Sequence, residues 1–160
     1  MPEVIADTSP LQYLYQTDLL DLLHHLYGRV AVPQAVAREL AEGLARGISL
    51  PDINAIEWVR IVSAPGQELL PLAADLGAGE REVLALAASL PDALALVDDA
   101  LARRHAQLLG VAFTGTLGVL LRAKESGHLD AVAPALERLD AARFRLDPAT
   151  RAAVLELAGE

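Results

Sequence analysis

Short apolar runs alternate with longer stretches of helical periodicity along most of this chain. Val4-Ile5-Ala6 is a run of strand type, ended by Asp7. Thr8-Ser9-Pro10 carries helix-start chemistry, capping hydroxyls followed by a proline at an early helical position. Leu11, Leu14 and Tyr15 then repeat at helical spacing. Asp18 is placed to cap a second helix through Leu19, Leu20, Leu22 and Leu23, which Gly28 closes. Val30-Ala31-Val32 is a second strand. Pro33 opens a helix whose apolar stripe is Val36, Leu40 and Leu44, with Glu39 between them. Residues 45–57 read as a loop with one weak turn, residues 58–62 as an alternating strand, and Pro65-Gly66 as a turn.

Residues 69–76 are helical in pattern but interrupted by Pro71, and Leu76-Gly77-Ala78-Gly79 is a break. Residues 80–90 form a strong helix that buries Val83, Leu84, Leu86 and Ala87. Residues 93–97 are continuously apolar, as in a strand covered on both faces, and Asp98-Asp99 stands at its carboxyl end. A helix over 100–109, stopped by Gly110, leads to a strand over 111–113. Thr114-Gly115-Thr116 then introduces a helix over 117–125. A helix over 130–142, a last short strand over 144–146 and a helix through 158, capped by Asp147-Pro148, complete the chain. Strand and helix alternate almost throughout, which predicts an α/β fold: a central, mainly parallel sheet with helices on both faces.

A length of 160 residues suits one domain with a real core, and 53% hydrophobic against 22% charged residues is a globular composition. Residues 1–160 are expected to form one domain, with 128–160 as a C-terminal helical extension packed on it. Aromatic residues are only 4%, too few for a base-stacking platform. The absence of cysteine excludes disulfides and thiolate zinc sites and fits a cytoplasmic location. The N-terminal residues lack a basic region and a long apolar stretch, so no signal peptide is expected; the longest uncharged run, between His105 and Arg122, is too short and too broken by glycine to span a membrane. A net charge of −9 argues against a general nucleic-acid binder. It leaves room for a nuclease, because carboxylates that bind divalent cations look acidic in a bare count while the bound ions reverse the local field.

In an open parallel sheet, sites form beyond the carboxyl ends of the strands. Asp7 ends the first strand and Asp98-Asp99 the fourth; Glu39, on the helix after the second strand, and Glu80, opening a helix behind a glycine-flanked turn, can reach the same crevice. Each acid alone has an ordinary structural reading. Asp7 and Asp98 suit helix caps, Glu39 a solvated helix face, Glu80 the positive end of a helix, and Asp99 a pair with Arg103. Together they converge where sites form. Carboxylates crowded in one crevice repel each other unless some keep protons or a cation neutralises them. All-oxygen ligation suits Mg²⁺ or Mn²⁺, and the substrate that best uses such ions is a phosphodiester. Thr8, Ser9 and Thr114 are candidates to bond a phosphate or a metal-held water. His24 and His25 face different sides of a helix, and His105 and His128 stand alone, so the histidines read as structural or surface residues. Leu76-Gly77-Ala78-Gly79 lacks the features of a phosphate loop, and no Ser-His-Asp pattern supports nucleophilic catalysis.

The blocks Val4 to Leu11, Val32 to Leu40, Leu76 to Ala87, Leu96 to Arg103 and Gly115 to Gly127 resemble, in this order, the PIN-domain family. They are especially close to its branch related to the ribonuclease toxins of type II toxin–antitoxin pairs. The resemblance implies a PIN-like three-layer α/β/α sandwich and an Mg²⁺- or Mn²⁺-dependent endonuclease for single-stranded RNA. It makes Asp7 the first metal ligand, Glu39 the second acid, Glu80 the third and Asp99 the fourth, with Asp98 a neighbour that replaces or assists it; Glu82 is a lesser candidate for the third. Arg103 and Lys124 would contact phosphate or orient carboxylates. Homodimers and a cognate antitoxin that blocks the site are also implied.

Two other readings compete. A PIN-shaped binding module without activity would bind nucleic acid or protein but no divalent ion. A phospho-acceptor receiver domain has a similar sheet, but it carries its acidic pair after the first strand, whereas here the pair follows the fourth.

Overall fold

In the computed structural model, residues 2–64 and 74–160 are described. Five strands form one sheet in the order β3-β2-β1-β4-β5: β1 (Glu3–Ala6), β2 (Val30–Pro33), β3 (Val59–Val62), β4 (Ala93–Leu96) and β5 (Ala112–Thr114). Every pairing is parallel, with Ile5 opposite Ala31 on one side and Ala95 on the other. β1 is therefore central. The chain moves outward to β2 and β3, then returns to lay β4 against the other side of β1. That reversal of order opens a crevice beyond the carboxyl ends of β1 and β4.

Eight helices are described: α1 (Thr8–Gln16), α2 (Asp21–Tyr27), α3 (Gln34–Ala45), α4 (Ala78–Ala88), α5 (Ala100–Leu108), α6 (Thr116–Glu125), α7 (Ala133–Ala141) and α8 (Pro148–Leu157). The centre of the sheet is dry: Ile5, Val32, Ala95, Leu96 and Val97 have almost no exposure. Leu11 and Leu14 of α1, Leu84 of α4 and Leu120 of α6 are fully buried against this layer, each contributing roughly 1.5–3 kcal/mol of apolar burial. Val132, Leu136 and Leu139 around α7 and Val154 of α8 join the same core.

The α/β architecture and the strand positions match the sequence reading. Several local expectations do not hold. Asp18 does not cap α2; it sits at φ 59°, in the left-handed region that an aspartate tolerates, and Leu20 takes the cap position. Leu44 is exposed, and Gly43 takes the buried place because Leu50 packs over it. The break expected through Gly79 ends two residues earlier, so Gly79 and Glu80 lie in the first turn of α4. The helix expected over 130–142 begins at Ala133. Residues 144–146 form no strand; Phe144 instead meets the Tyr13 ring edge-on at 5.0 Å. The turn at Pro65-Gly66 and residues 69–73 of the interrupted helix expected over 69–76 lie outside the described residues, and residues 74–76 form a turn and not a helix.

Candidate metal and nuclease site

Asp7 follows the last residue of β1, and its backbone N–H donates to the Leu96 carbonyl of β4 at 3.0 Å, which ties the two strand ends together. Only 5% of Asp7 is exposed. Burial pushes its carboxyl up to about 7; the Thr8 backbone N–H opposes this, and the nearby charges of Glu80, Glu39 and Asp98 add to it. A carboxyl kept half-protonated at neutral pH among other acids has room in its energetics for a cation.

Glu39 reaches the crevice from α3. The Thr8 hydroxyl donates to one of its oxygens at 2.5 Å, and the Gly79 backbone N–H donates to the other at 3.0 Å. Gly79 lies in the first turn of α4, where free amides and the helix dipole favour a carboxylate. A Cβ at Gly79 would fall 2.8 Å from both Glu39 oxygens, so the absence of a side chain is what admits the acid.

Glu80, the next residue, is half-buried. Burial raises its pKa first, then the charges of Asp99 and Glu39, while a hydrogen bond from the Gly77 backbone pulls the other way.

Asp98 follows β4 and is held by Thr116 at the start of α6: the Thr116 N–H donates to one oxygen at 2.7 Å and its hydroxyl to the other at 2.7 Å. Burial still carries its pKa above the usual carboxylate range, although those bonds and the charge of Arg103 lower it. Gly115 makes the approach possible, since a Cβ there would meet an Asp98 oxygen at 2.6 Å and the Val97 carbonyl at 3.2 Å. Asp99 is exposed and caps α5 by accepting from the Ala102 N–H at 3.0 Å. The pair therefore divides: Asp98 belongs with Asp7, and Asp99 faces Glu80.

Charge interactions link Asp7 to Glu80, Glu39 and Asp98, and Glu80 to Asp99 and Glu39, so the five acids expected from the sequence share one neighbourhood at the carboxyl ends of β1 and β4. Other expected residues stand differently. Thr8 is in the site, but its hydroxyl serves Glu39. Ser9 lies beside it, half-buried in the first turn of α1. Thr114 turns its hydroxyl toward α6, where a Cβ on Gly118 would overlap it, and Thr116 holds the acid instead. Arg103 is near Asp98, its guanidinium 5.2 Å from the centre of the Phe113 ring. Lys124 is not in the crevice. It lies about 12 Å along α6 from Thr116 at the ordinary helical rise, donating to the Ala158 carbonyl at 2.6 Å and to Glu160 at 2.8 Å. Glu82 is outside as well, because it accepts from the Ala35 N–H at 2.9 Å and so caps α3. Sequence reasoning missed Thr116, Gly79 and Gly115. The available signal was a glycine directly beside an acid or a hydroxyl at a turn into a helix.

All donors in the crevice are hard oxygens, the set that suits Mg²⁺ or Mn²⁺. Among the described residues, no three acidic or histidine side chains are gathered closely enough, as they stand, to grip one ion. The fit therefore rests on the donor chemistry and the crowded charge, with Asp7, Asp98 and Glu80 as the residues that would hold an ion.

A family model described as a PIN domain matches residues 3–160, and the chain belongs to that family. PIN domains are a nuclease-type fold; they bind nucleic acid and generally work with divalent metal ions. No curated protein and no solved structure gives a significant match. Among the described residues no helix is long and apolar enough to cross a membrane.

Proposed function

We propose that this chain is a metal-dependent endoribonuclease that cuts single-stranded RNA. The observation that carries the reading is the convergence of Asp7, Glu39, Glu80, Asp98 and Asp99 on one crevice, with Asp7 buried and its pKa pushed up to about 7. A bound Mg²⁺ or Mn²⁺ supplies Lewis-acid stabilisation of charge growing on a phosphate and lowers the pKa of a bound water. The chain's own residues set the stage. Glu39 is locked by Thr8 and Gly79 and is a fixed negative wall. Asp98 is oriented by Thr116, and its charge is felt at Asp7. Near neutral pH, Asp7 is protonated in about half of the molecules, and a cation would displace that proton.

The test is cleavage of a labelled single-stranded RNA with and without Mg²⁺ or Mn²⁺, by the wild type and by Asp7→Asn. Activity that needs the ion and disappears in Asp7→Asn supports the reading. Equal cleavage by both equally pure proteins overturns it. We further propose the finer role of a cytoplasmic, homodimeric toxin inhibited by a cognate antitoxin. Growth arrest on expression, relieved by the product of an adjoining short reading frame, is the outcome expected.

One observation favours a second reading, an inert PIN-shaped binding module: among the described residues, no three acids stand within reach of one ion. Calorimetry separates the two, since the module predicts no divalent binding at millimolar concentrations.

A further inference from the structure

Beside the acids, α5 and the edge strand β5 border an open cavity of about 440 Å³ lined by Asp98, Ala100, Arg103, Arg104, Gln107 and Phe113. Asp98 lines its wall and so joins the cavity to the acids. In a chain of net charge −9, this wall presents two arginines and an amide at positions 103, 104 and 107, spaced so that they share one side of a helix. The Arg103 guanidinium lies over the Phe113 ring at 5.2 Å. Among the described residues, neither Arg103 nor Arg104 is in an ion pair within 4.0 Å. A guanidinium resting on a ring and outside any such ion pair can turn its N–H fork to the oxygens of a phosphate.

We infer that this cavity is a second phosphodiester subsite of the nucleic-acid strand, in which Arg103 and Arg104 grip the phosphate neighbouring the one to be cut and Phe113 positions Arg103. The inference rests on the nuclease reading above. It explains how a strongly acidic protein engages a polyanion: the repulsion at the acids is offset one nucleotide away by two cations that form no ion pair within 4.0 Å among the described residues. Gln107 adds a neutral donor to the same wall. Phe113 acts only through Arg103 and is a positioning residue.

The experiment uses the full chain with a labelled single-stranded oligoribonucleotide and its deoxy counterpart, and compares the wild type with Arg103→Gln, Arg104→Gln and Phe113→Leu. Steady-state cleavage is measured, together with binding as a function of salt in Ca²⁺. Each arginine variant is expected to raise the oligonucleotide KM by about tenfold, with a much smaller change in kcat, a loss of phosphate binding of about 1.4 kcal/mol. Each is also expected to flatten the plot of log affinity against log salt by about 0.7, the value for one lost single-strand phosphate contact. Phe113→Leu should weaken binding less and leave that slope unchanged, since the charge remains. Equal losses for RNA and deoxy strands support a phosphate contact; a loss confined to RNA overturns it in favour of a ribose contact. If the wild type cleaves but neither arginine variant changes KM or the salt slope, the subsite is wrong and the nuclease reading stands. A change in kcat and its pH profile alone also overturns it, assigning Arg103 to Asp98 instead. If the wild type neither binds nor cleaves either strand, both readings fall together.

Discussion

Gly79 and Glu39 are fitted to one another: the Gly79 N–H donates to the Glu39 carboxylate at 3.0 Å, and the space a Cβ would fill at Gly79 is the space that carboxylate occupies. Two helices, α3 and α4, are thereby joined at the edge of the acid crevice. Gly79→Ala separates function from stability. Alanine is the better helix former by about 1 kcal/mol, which offsets the lost Gly79–Glu39 hydrogen bond, also about 1 kcal/mol, so the melting temperature should change little. The displaced Glu39 should lower RNA cleavage by at least about tenfold, or 1.4 kcal/mol of transition-state stabilisation. Wild-type activity in Gly79→Ala would show that Glu39 has no part in the chemistry.

Asp7 predicts how metal-free stability depends on pH. Its pKa is 3.8 in the absence of structure and about 7 when folded, so folding favours the protonated form. The associated stability is complete below about 3.8 and is lost as pH rises through about 7, by up to about 4 kcal/mol. Asp7→Asn, which cannot ionise, should lose this part of the decline and be the more stable protein at alkaline pH. Urea melts of both proteins in chelator across that range are the measurement, and parallel pH profiles would refute it.

Added Mg²⁺ or Mn²⁺ should reverse the same loss. A ligand of the folded state at about a hundred times its Kd stabilises by about 2.7 kcal/mol. The gain in melting temperature should be large above pH of about 7, where Asp7 is ionised, and small near pH 4, where the ion competes with a proton. No shift at either pH would count against a metal centre.

Thr116 is fully buried, and its hydroxyl and amide both hold Asp98. Thr116→Val keeps the shape and the amide bond but removes the hydroxyl. It should raise the Asp98 pKa further, destabilise the fold by about 1 kcal/mol and slow cleavage, whereas Thr116→Ser should retain most of the activity. Valine and serine variants of equal activity would make the hydroxyl irrelevant.

Glu160 accepts from the Val132 and Ala133 amides at 2.7 and 3.0 Å and from Lys124, which together hold its carboxyl down to about 2, against the usual 4.5. This is the depressed case: its stability is present above about 4.5 and is lost as pH falls through about 2. Glu160→Gln should lower the melting temperature at neutral pH and narrow the gap to the wild type in acid, with cleavage retained. Circular-dichroism melts at both pH values decide it.

The sheet was legible because its strands are short apolar runs that end in charge or proline, as at Asp7 and Pro33, and the acids could be assembled because each stands at a strand end or a helix start. What escaped depended on distance. The sequence neighbours of Lys124 give no sign that its partner is Glu160, and Glu82 differs from Glu80 only in facing the α3 terminus. Thr114 and Thr116 look equivalent as letters; two residues of turn aim one at Gly118 and the other at Asp98. Asp18 takes a left-handed conformation open to few residues other than glycine, which no helical periodicity reveals.

The direct pairing of β1 with β4 also orders events in time. A ribosome delivers Asp7 and Glu39 well before Asp98, and the strand that positions Asp98 must itself slot in beside β1. Thr116, which steadies it, emerges later still. A growing chain therefore cannot bring these acids together until most of its length has left the tunnel.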